Sequence, residues 1–370
     1  MLLAFVATDV AGGVKMGKSK GIKKGKSNHS SFGKSHKKSG TSYKKLTKPA
    51  ADPATPCLEV TVTGSKGGPQ ARLGLGGAGT LVTYGTIETG CRDLLLQFDM
   101  GRGTTLRLTE VGVEPRDMDA IFLTHIHNDH TDDLPIFMVD RWVYGRNNID
   151  IVCGGEEEYG SCRAFLEAIG DIYKTTGLIP NRVAGNDALN PLGPAGLINA
   201  TYAEPTELPN PVWSSGNVTV SSIRTQHISG SLAYRLDTPA GSVVIAGDTS
   251  NDEQNATLRD TSTSANVELL AEGADILVIS TIHPVLSPEL NELGNPTSYN
   301  RQSAAPDVAA MAERLGVQTL IPTHLVPAIG EEINGVDFTL TLSDWEDAVR
   351  NGGFTRQLVV ATELATVRLP

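Results

Sequence analysis

Cysteine is scarce in this 370-residue chain: there are four, Cys57, Cys91, Cys153 and Cys162. None has the close spacing of a zinc finger, so they read as small buried residues and not as ligands. Cys153 and Cys162 could pair if the protein is exported. Long apolar runs are also missing. No segment approaches the roughly 18–20 apolar residues of a membrane-crossing helix, which excludes a transmembrane span. No internal repeat is visible. Histidine is rare as well, with eight residues in all.

Arginine is absent from residues 1–50, where twelve Lys face the single acid Asp9 and give a charge of +11. The whole chain carries −11, so residues 51–370 carry −22. Residues 15–48 are Lys, Gly and Ser with almost nothing to bury. Residues 1–56 are therefore expected to be a disordered basic tail. Such a tail is either an electrostatic arm for nucleic acid, an anionic polymer or a membrane surface, or a solvated segment with no specific partner. Leu2-Leu3-Ala4-Phe5-Val6-Ala7 is a short apolar run without a basic region before it, a vestige of a secretion signal at most. It leaves a secreted or periplasmic location open beside a cytoplasmic one. The oligomeric state is not readable, and a homodimer is compatible with the sequence.

What remains, residues 57–370, suits one large catalytic domain of roughly 310 residues. Hydrophobic residues make up 39% of the chain, enough for a core. Apolar runs between turn signals predict strands over 58–63, 79–84, 94–99, 119–124, 149–153, 217–224, 231–237, 242–247, 275–280 and 317–322. Helical spacing predicts helices over 104–111, 134–143, 157–169, 266–271, 304–315 and 343–349. Residues 176–216, rich in Pro, Gly and Asn, read as a long irregular insertion that could wall a substrate cleft.

Three of the eight histidines fall in one heptapeptide, Thr124-His125-Ile126-His127-Asn128-Asp129-His130, directly after the apolar run 120–123. The array H-x-H-x-D-H sets three imidazoles and a carboxylate where a strand would aim them at one point. That ligand chemistry suits a pair of divalent ions better than one. A His-rich surface loop is the bland alternative. His227, His283 and His324 each follow a predicted strand, and the run 242–246 ends in Gly247-Asp248-Thr249. Strand ends of this kind converge on one edge of an open sheet.

The order H-x-H-x-D-H, His, Gly-Asp-Thr, Thr-His resembles the metallo-β-lactamase fold superfamily from about Leu58 to about Ile329. The resemblance implies an α+β fold, the αββα sandwich of two face-to-face mixed sheets with helices outside. It also implies His125, His127 and His227 on one ion, Asp129, His130 and His324 on the other, and Asp248 bridging. The ions would be Zn2+, with Mn2+ or Fe2+ as alternatives. The segments 60–69, 79–85 and 94–103, the last with Asp99-Met100-Gly101-Arg102-Gly103, are similar to the branch that contains ribonuclease Z and the metal-dependent arylsulfatases.

Two ions lower the pKa of a bridging water and stabilise the charge that develops on an ester. Asp129 is expected to orient that water, and His283 to meet the oxyanion or protonate the leaving oxygen, unless it is only structural. Arg102, Arg141 and Arg301 are conceivable anion clamps. Residues 302–310 lack the His expected of ribonuclease Z, the arm of that family is not recognisable in 140–225, and a −22 body repels a polyanion. The 140–146 stretch offers aromatics for a cleft wall. The expectation is therefore hydrolysis of a small anionic sulfate or phosphate ester, arylsulfatase-like, with nucleic acid less favoured. Ribonuclease Z activity is the alternative, and an inactive metal-binding scaffold a further one.

Overall fold

A computed structural model describes residues 52–155, 161–250, 263–288, 299–332 and 339–370. The expected basic tail, up to residue 51, and the start of the helix expected over 157–169 lie outside the described residues.

Two mixed sheets form the sandwich. The first holds β1 (Pro56–Gly64), β2 (Gly79–Thr86), β3 (Leu94–Phe98), β4 (Ala120–Phe122), β5 (Ile149–Gly154), β6 (Ile198–Ala203) and β15 (Thr366–Leu369). Their order is β15-β1-β2-β3-β4-β5-β6, antiparallel as far as β3 and parallel from there. The second sheet holds β7 (Asn210–Ser215), β8 (Val218–Arg224), β9 (Leu232–Thr238), β10 (Gly241–Ile245), β11 (Ile276–Ile282), β12 (Ser303–Ala304), β13 (Thr319–Val326) and β14 (Gln357–Leu358). It runs β14-β13-β11-β10-β9-β8-β7, with β12 beside β11.

Alternation along each strand explains the layers. Val243, Ile245, Ile276 and Val278 face the first sheet, where they meet Val60, Val82, Phe98 and Phe122. Their neighbours Val244, Leu277 and Ile279 point outward, under α6 (Ala265–Ala271), α7 (Ala305–Arg314) and α8 (Leu342–Asn351). On the other side Leu81, Ile121 and Ile151 point outward, under α1 (Thr104–Glu110), α3 (Leu134–Asp140) and α4 (Cys162–Thr175). Parallel strands covered on both faces bury every residue, which is why runs such as 276–279 are apolar throughout.

Residues 176–216 are not an irregular insertion. They hold α5 (Leu178–Ala184) and the edge strands β6 and β7. Both strands are largely exposed, so they lack the apolar alternation that betrays a half-buried strand. The segment closes one side of the sandwich: Trp213 donates to Asp150 Oδ2 at 2.9 Å and meets Phe122 edge-on.

The cysteines are not free core residues either. Cys57 is bonded to Cys91 and Cys153 to Cys162, separated by 34 and 9 residues in sequence. The second bond ties the end of β5 to the first turn of α4. Loop-closure entropy gives the longer link about 4 kcal/mol of stability and the shorter about 3 kcal/mol. The unfolded, unreduced protein should therefore show no free thiol, and full reduction should lower its urea midpoint. An unchanged midpoint after complete reduction would remove the disulfides from the account of stability.

Candidate metal centre

The H-x-H-x-D-H loop leaves β4 and turns at once into a four-residue helix, α2 (Asn128–Thr131). Two glycine strands hold that helix by its backbone. Ala78 N donates to Asp129 O at 2.9 Å and Met100 N to His130 O at 2.7 Å. A Cβ on Gly101 or Gly77 would lie 2.1 or 2.4 Å from Asp129 O, so only glycine permits this approach.

Asp99 orients the loop from below. Its carboxylate accepts from Thr124 N at 2.7 Å and Thr124 Oγ1 at 2.8 Å, and it bonds His130 Nδ1 at 2.8 Å. That leaves His130 Nε2 available to a metal ion, a carboxylate–histidine pairing typical of metal sites. On the second sheet, His227 Nδ1 donates to Arg301 O at 3.2 Å, so its Nε2 faces inward. Asp248 follows β10, and His324 sits in β13 with φ of 47°, a left-handed conformation rare outside glycine.

Seven side chains converge. His125 Nε2 and His227 Nε2 lie 2.9 and 3.1 Å from His127 Nδ1. Asp248 Oδ1 lies 3.4 Å from His130 Nε2 and 3.3 Å from His324 Nδ1, while its Oδ2 lies 3.6 Å from His227 Nε2. Asp129 Oδ2 lies 3.0 Å from His324 Nε2 and accepts from Gly68 N at 2.8 Å. The groups His125/His127/His227, His125/His130/Asp248 and Asp129/His130/His324 each bring ligand atoms within 4.8 Å.

The fit to a divalent cation is tested by what is left unbonded. His130 Nε2, Asp248 Oδ1 and His324 Nδ1 are buried without a close hydrogen-bond partner, and the carboxylate oxygen lies 3.4 and 3.3 Å from the two nitrogens. Orphaned buried polar atoms are costly, and a cation satisfies them together. Six of the seven side chains are buried; His127 is half-exposed and marks the mouth.

Electrostatics agree. Burial lowers His125 well below the usual imidazole range, with the charge of His130 and His227 adding to it. Burial also brings His227 down to about 4 and lowers His127, on which Arg301 acts in the same direction. These rings are neutral, as ligands must be. For Asp248 and Asp129, burial opposes the charge, but the surrounding histidines outweigh it and hold both ionised. Burial likewise opposes charge on His130, yet Asp99 and Asp248 raise it well above the ordinary value.

His283 is not brought into this cluster. Its Nδ1 accepts from Val285 N at 3.1 Å, its Nε2 donates to Asp344 O at 3.3 Å, and its ring packs edge-on against Trp345. The expected contact with an oxyanion or leaving group is replaced by a cap on the turn after β11. Arg141 is no clamp: it is buried and donates to the carbonyls of Pro115, Met118, Asn147 and Asn148. Arg102 is spent on the carbonyls of Pro69 and Gln70. Arg301 alone of the three is exposed beside the mouth. Trp142 is fully buried and Tyr144 lines a separate cavity, so the 140–146 aromatics do not wall the site. Asp99 and Gln302 went unassigned in the sequence. Asp99 was readable only as part of a glycine turn, and Gln302 Nε2 donates to Asp248 Oδ2 at 2.7 Å.

His130 must lose its proton to ligate. Because its folded pKa is raised above about 6.5, its stabilising effect on the metal-free protein is full below that pH and is lost as pH rises through the raised value. Ion binding at pH 7 should therefore release about one proton and tighten with rising pH. Titration calorimetry in buffers of different ionisation enthalpy reads this directly; identical apparent enthalpies would contradict it.

Compared with known proteins, residues 89–324 match the metallo-beta-lactamase superfamily. A ribonuclease Z of Mycobacterium bovis (strain BCG / Pasteur 1173P2) is 28% identical over 278 residues, covering 74% of this chain and 88% of the relative. The crystal structure of human tRNase Z, short form, superposes with a TM-score of 0.57 at 15% identity, covering 84% of this chain and 99% of that one. A metallo-beta-lactamase fold protein from Bacillus subtilis gives 0.55 at 18%, covering 85% and 100%. The chain belongs to the metallo-beta-lactamase superfamily and is a metal-dependent hydrolase of ester bonds.

Proposed function

We propose that this chain is a two-ion phosphodiesterase of the ribonuclease Z type, with an RNA 3′ segment as the substrate class. The observation that carries the hydrolytic centre is the gathering of the orphaned nitrogens of His130 and His324 around the orphaned Oδ1 of Asp248. The relatives named ribonuclease Z support the alternative given by the sequence, an RNA phosphodiester, over the small sulfate or phosphate ester of the arylsulfatase-like reading. His125, His127 and His227 would hold one ion, Asp129, His130 and His324 the other, with Asp248 shared; nitrogen and carboxylate ligands suit Zn2+ best. Such ions supply a water nucleophile at neutral pH and Lewis acidity toward the ester oxygens.

The chain's own residues do the rest. Asp129 is ionised and fixed by Gly68 N, so it accepts a hydrogen bond from the attacking water and orients it. The ester enters past His127, where the exposed Arg301 offers a cation to a non-bridging oxygen. His283 has no part in this reading, because both ring nitrogens are engaged elsewhere. The two disulfides fit an oxidising compartment, and we place the reaction there.

A smaller ester is the second reading, favoured by one specific observation. Gln302 occupies the stretch where ribonuclease Z is expected to carry His, and no amide can donate a proton as an imidazolium does. Turnover of bis(p-nitrophenyl) phosphate, p-nitrophenyl sulfate and an RNA hairpin with a 3′ extension separates the two. The proposal expects single-position cleavage of the RNA and phosphodiester turnover above sulfate turnover; sulfate hydrolysis with intact RNA would reverse the order.

Asp248→Ala removes the shared ligand. It should lower bound metal from about two ions per chain and reduce turnover by at least about 10²-fold while the circular dichroism spectrum persists. Near-normal metal and activity in this variant would defeat the assignment.

A further inference from the structure

The short segment Arg301–Ser303 leads into β12, which runs parallel to the end of β11, where Thr281 pairs with Ser303 and Ile282 with Ala304. Three consecutive residues there hold separate parts of the centre. Arg301 O accepts from His227 Nδ1 at 3.2 Å. Gln302 Nε2 donates to Asp248 Oδ2 at 2.7 Å. Ser303 Oγ donates to Thr249 O, next to Asp248, at 2.9 Å. Resting on the two-ion reading above, we infer that Gln302 is the positioning residue that sets the plane of the Asp248 carboxylate, locked in its own orientation by Ser280.

Asp248 has a demanding task. It must turn Oδ1 toward His130 and His324 and Oδ2 toward His227, and rotation about its terminal bond would spoil both sets of distances. A terminal sp³–sp² torsion has no sharp wells of its own, so the plane must be imposed from outside. Gln302 is 7% exposed and can impose it. An amide suits the task better than Lys or Arg, because it donates a hydrogen bond without cancelling the negative charge that a divalent cation needs.

The direction of the amide matters equally. If it were reversed, its carbonyl oxygen would face the carboxylate and repel it. Ser280 Oγ, 1% exposed, donates to Gln302 Oε1 and holds the NH2 end toward Asp248. The result is an ordered chain, Ser280 to Gln302 to Asp248, running inward from β11. Outer-shell partners of this sort commonly govern metal affinity by 10–100-fold.

The metal-free wild type, Gln302→Met and Ser280→Ala are titrated with Zn2+ in competition with a chromophoric chelator. The visible spectrum of each Co2+-substituted protein is recorded as well, since it reports coordination geometry and not fold stability. Gln302→Met keeps the side-chain volume and removes the donor. It should bind both ions about 10–100-fold more weakly, because Asp248 faces both positions, and should shift the Co2+ bands. Ser280→Ala should act in the same direction with a smaller change, and it serves alone if Gln302→Met does not fold. Wild-type affinities and an unchanged Co2+ spectrum in the variants would overturn the inference while leaving the two-ion reading intact. A wild type that takes up neither ion would overturn both.

Discussion

Asp99 is the residue on which the centre hangs. One carboxylate grips the backbone and side chain of Thr124, where β4 ends, and the ring of His130 on the helix that follows. It thereby fixes where the ligand loop starts, how its helix is tilted and which nitrogen of His130 faces the cation. Asp99 itself has φ of 58°, a conformation that costs on the order of 1–2 kcal/mol outside glycine. Three hydrogen bonds, two of them to one oxygen, keep it there. Strain maintained by surrounding bonds is a frequent mark of functional sites.

The cluster would be a poor design for stability alone. Buried histidines and carboxylates displace apolar packing, and three of their polar atoms are unsatisfied. A sequence chosen only to fold would fill the same space with aliphatic side chains. The site departs from that rule in a directed way: the rings of His125, His127 and His227 are kept neutral, Asp129 and Asp248 stay charged, and His130 sits between two carboxylates with a proton it can surrender.

Much of this was legible in the sequence, for physical reasons. The inner strands are buried on both faces, so runs such as 243–246 and 276–279 are apolar without interruption and announce themselves. H-x-H-x-D-H is dense enough in ligands to stand out from a surface loop. What escaped was set by tertiary contact. β6 is an exposed edge strand whose partner β5 lies far back in the chain, and β7, though it forms a hairpin with β8, is also exposed and lacks the apolar alternation that marks a half-buried strand. The disulfide between Cys57 and Cys91 joins residues whose proximity exists only once β1 and β2 pair. His283 stands after a strand just as His227 does, and only the fold shows that Trp345 and Asp344 claim its ring. Gln302 is the converse: an unremarkable amide in sequence, reaching a ligand 54 positions away.

His125, His127, Asp129 and His130 come from the first sheet, and His227, Asp248 and His324 from the second. Ions held in these groups would each take ligands from both sheets and rivet the two halves of the sandwich together. Unfolding must then dissociate them, so the free energy of folding acquires a mass-action contribution set by the free-ion concentration. At a hundredfold excess over the dissociation constant that contribution is about 2.7 kcal/mol for each ion. The melting temperature of this protein is accordingly a joint property of the chain and of the metal buffer around it.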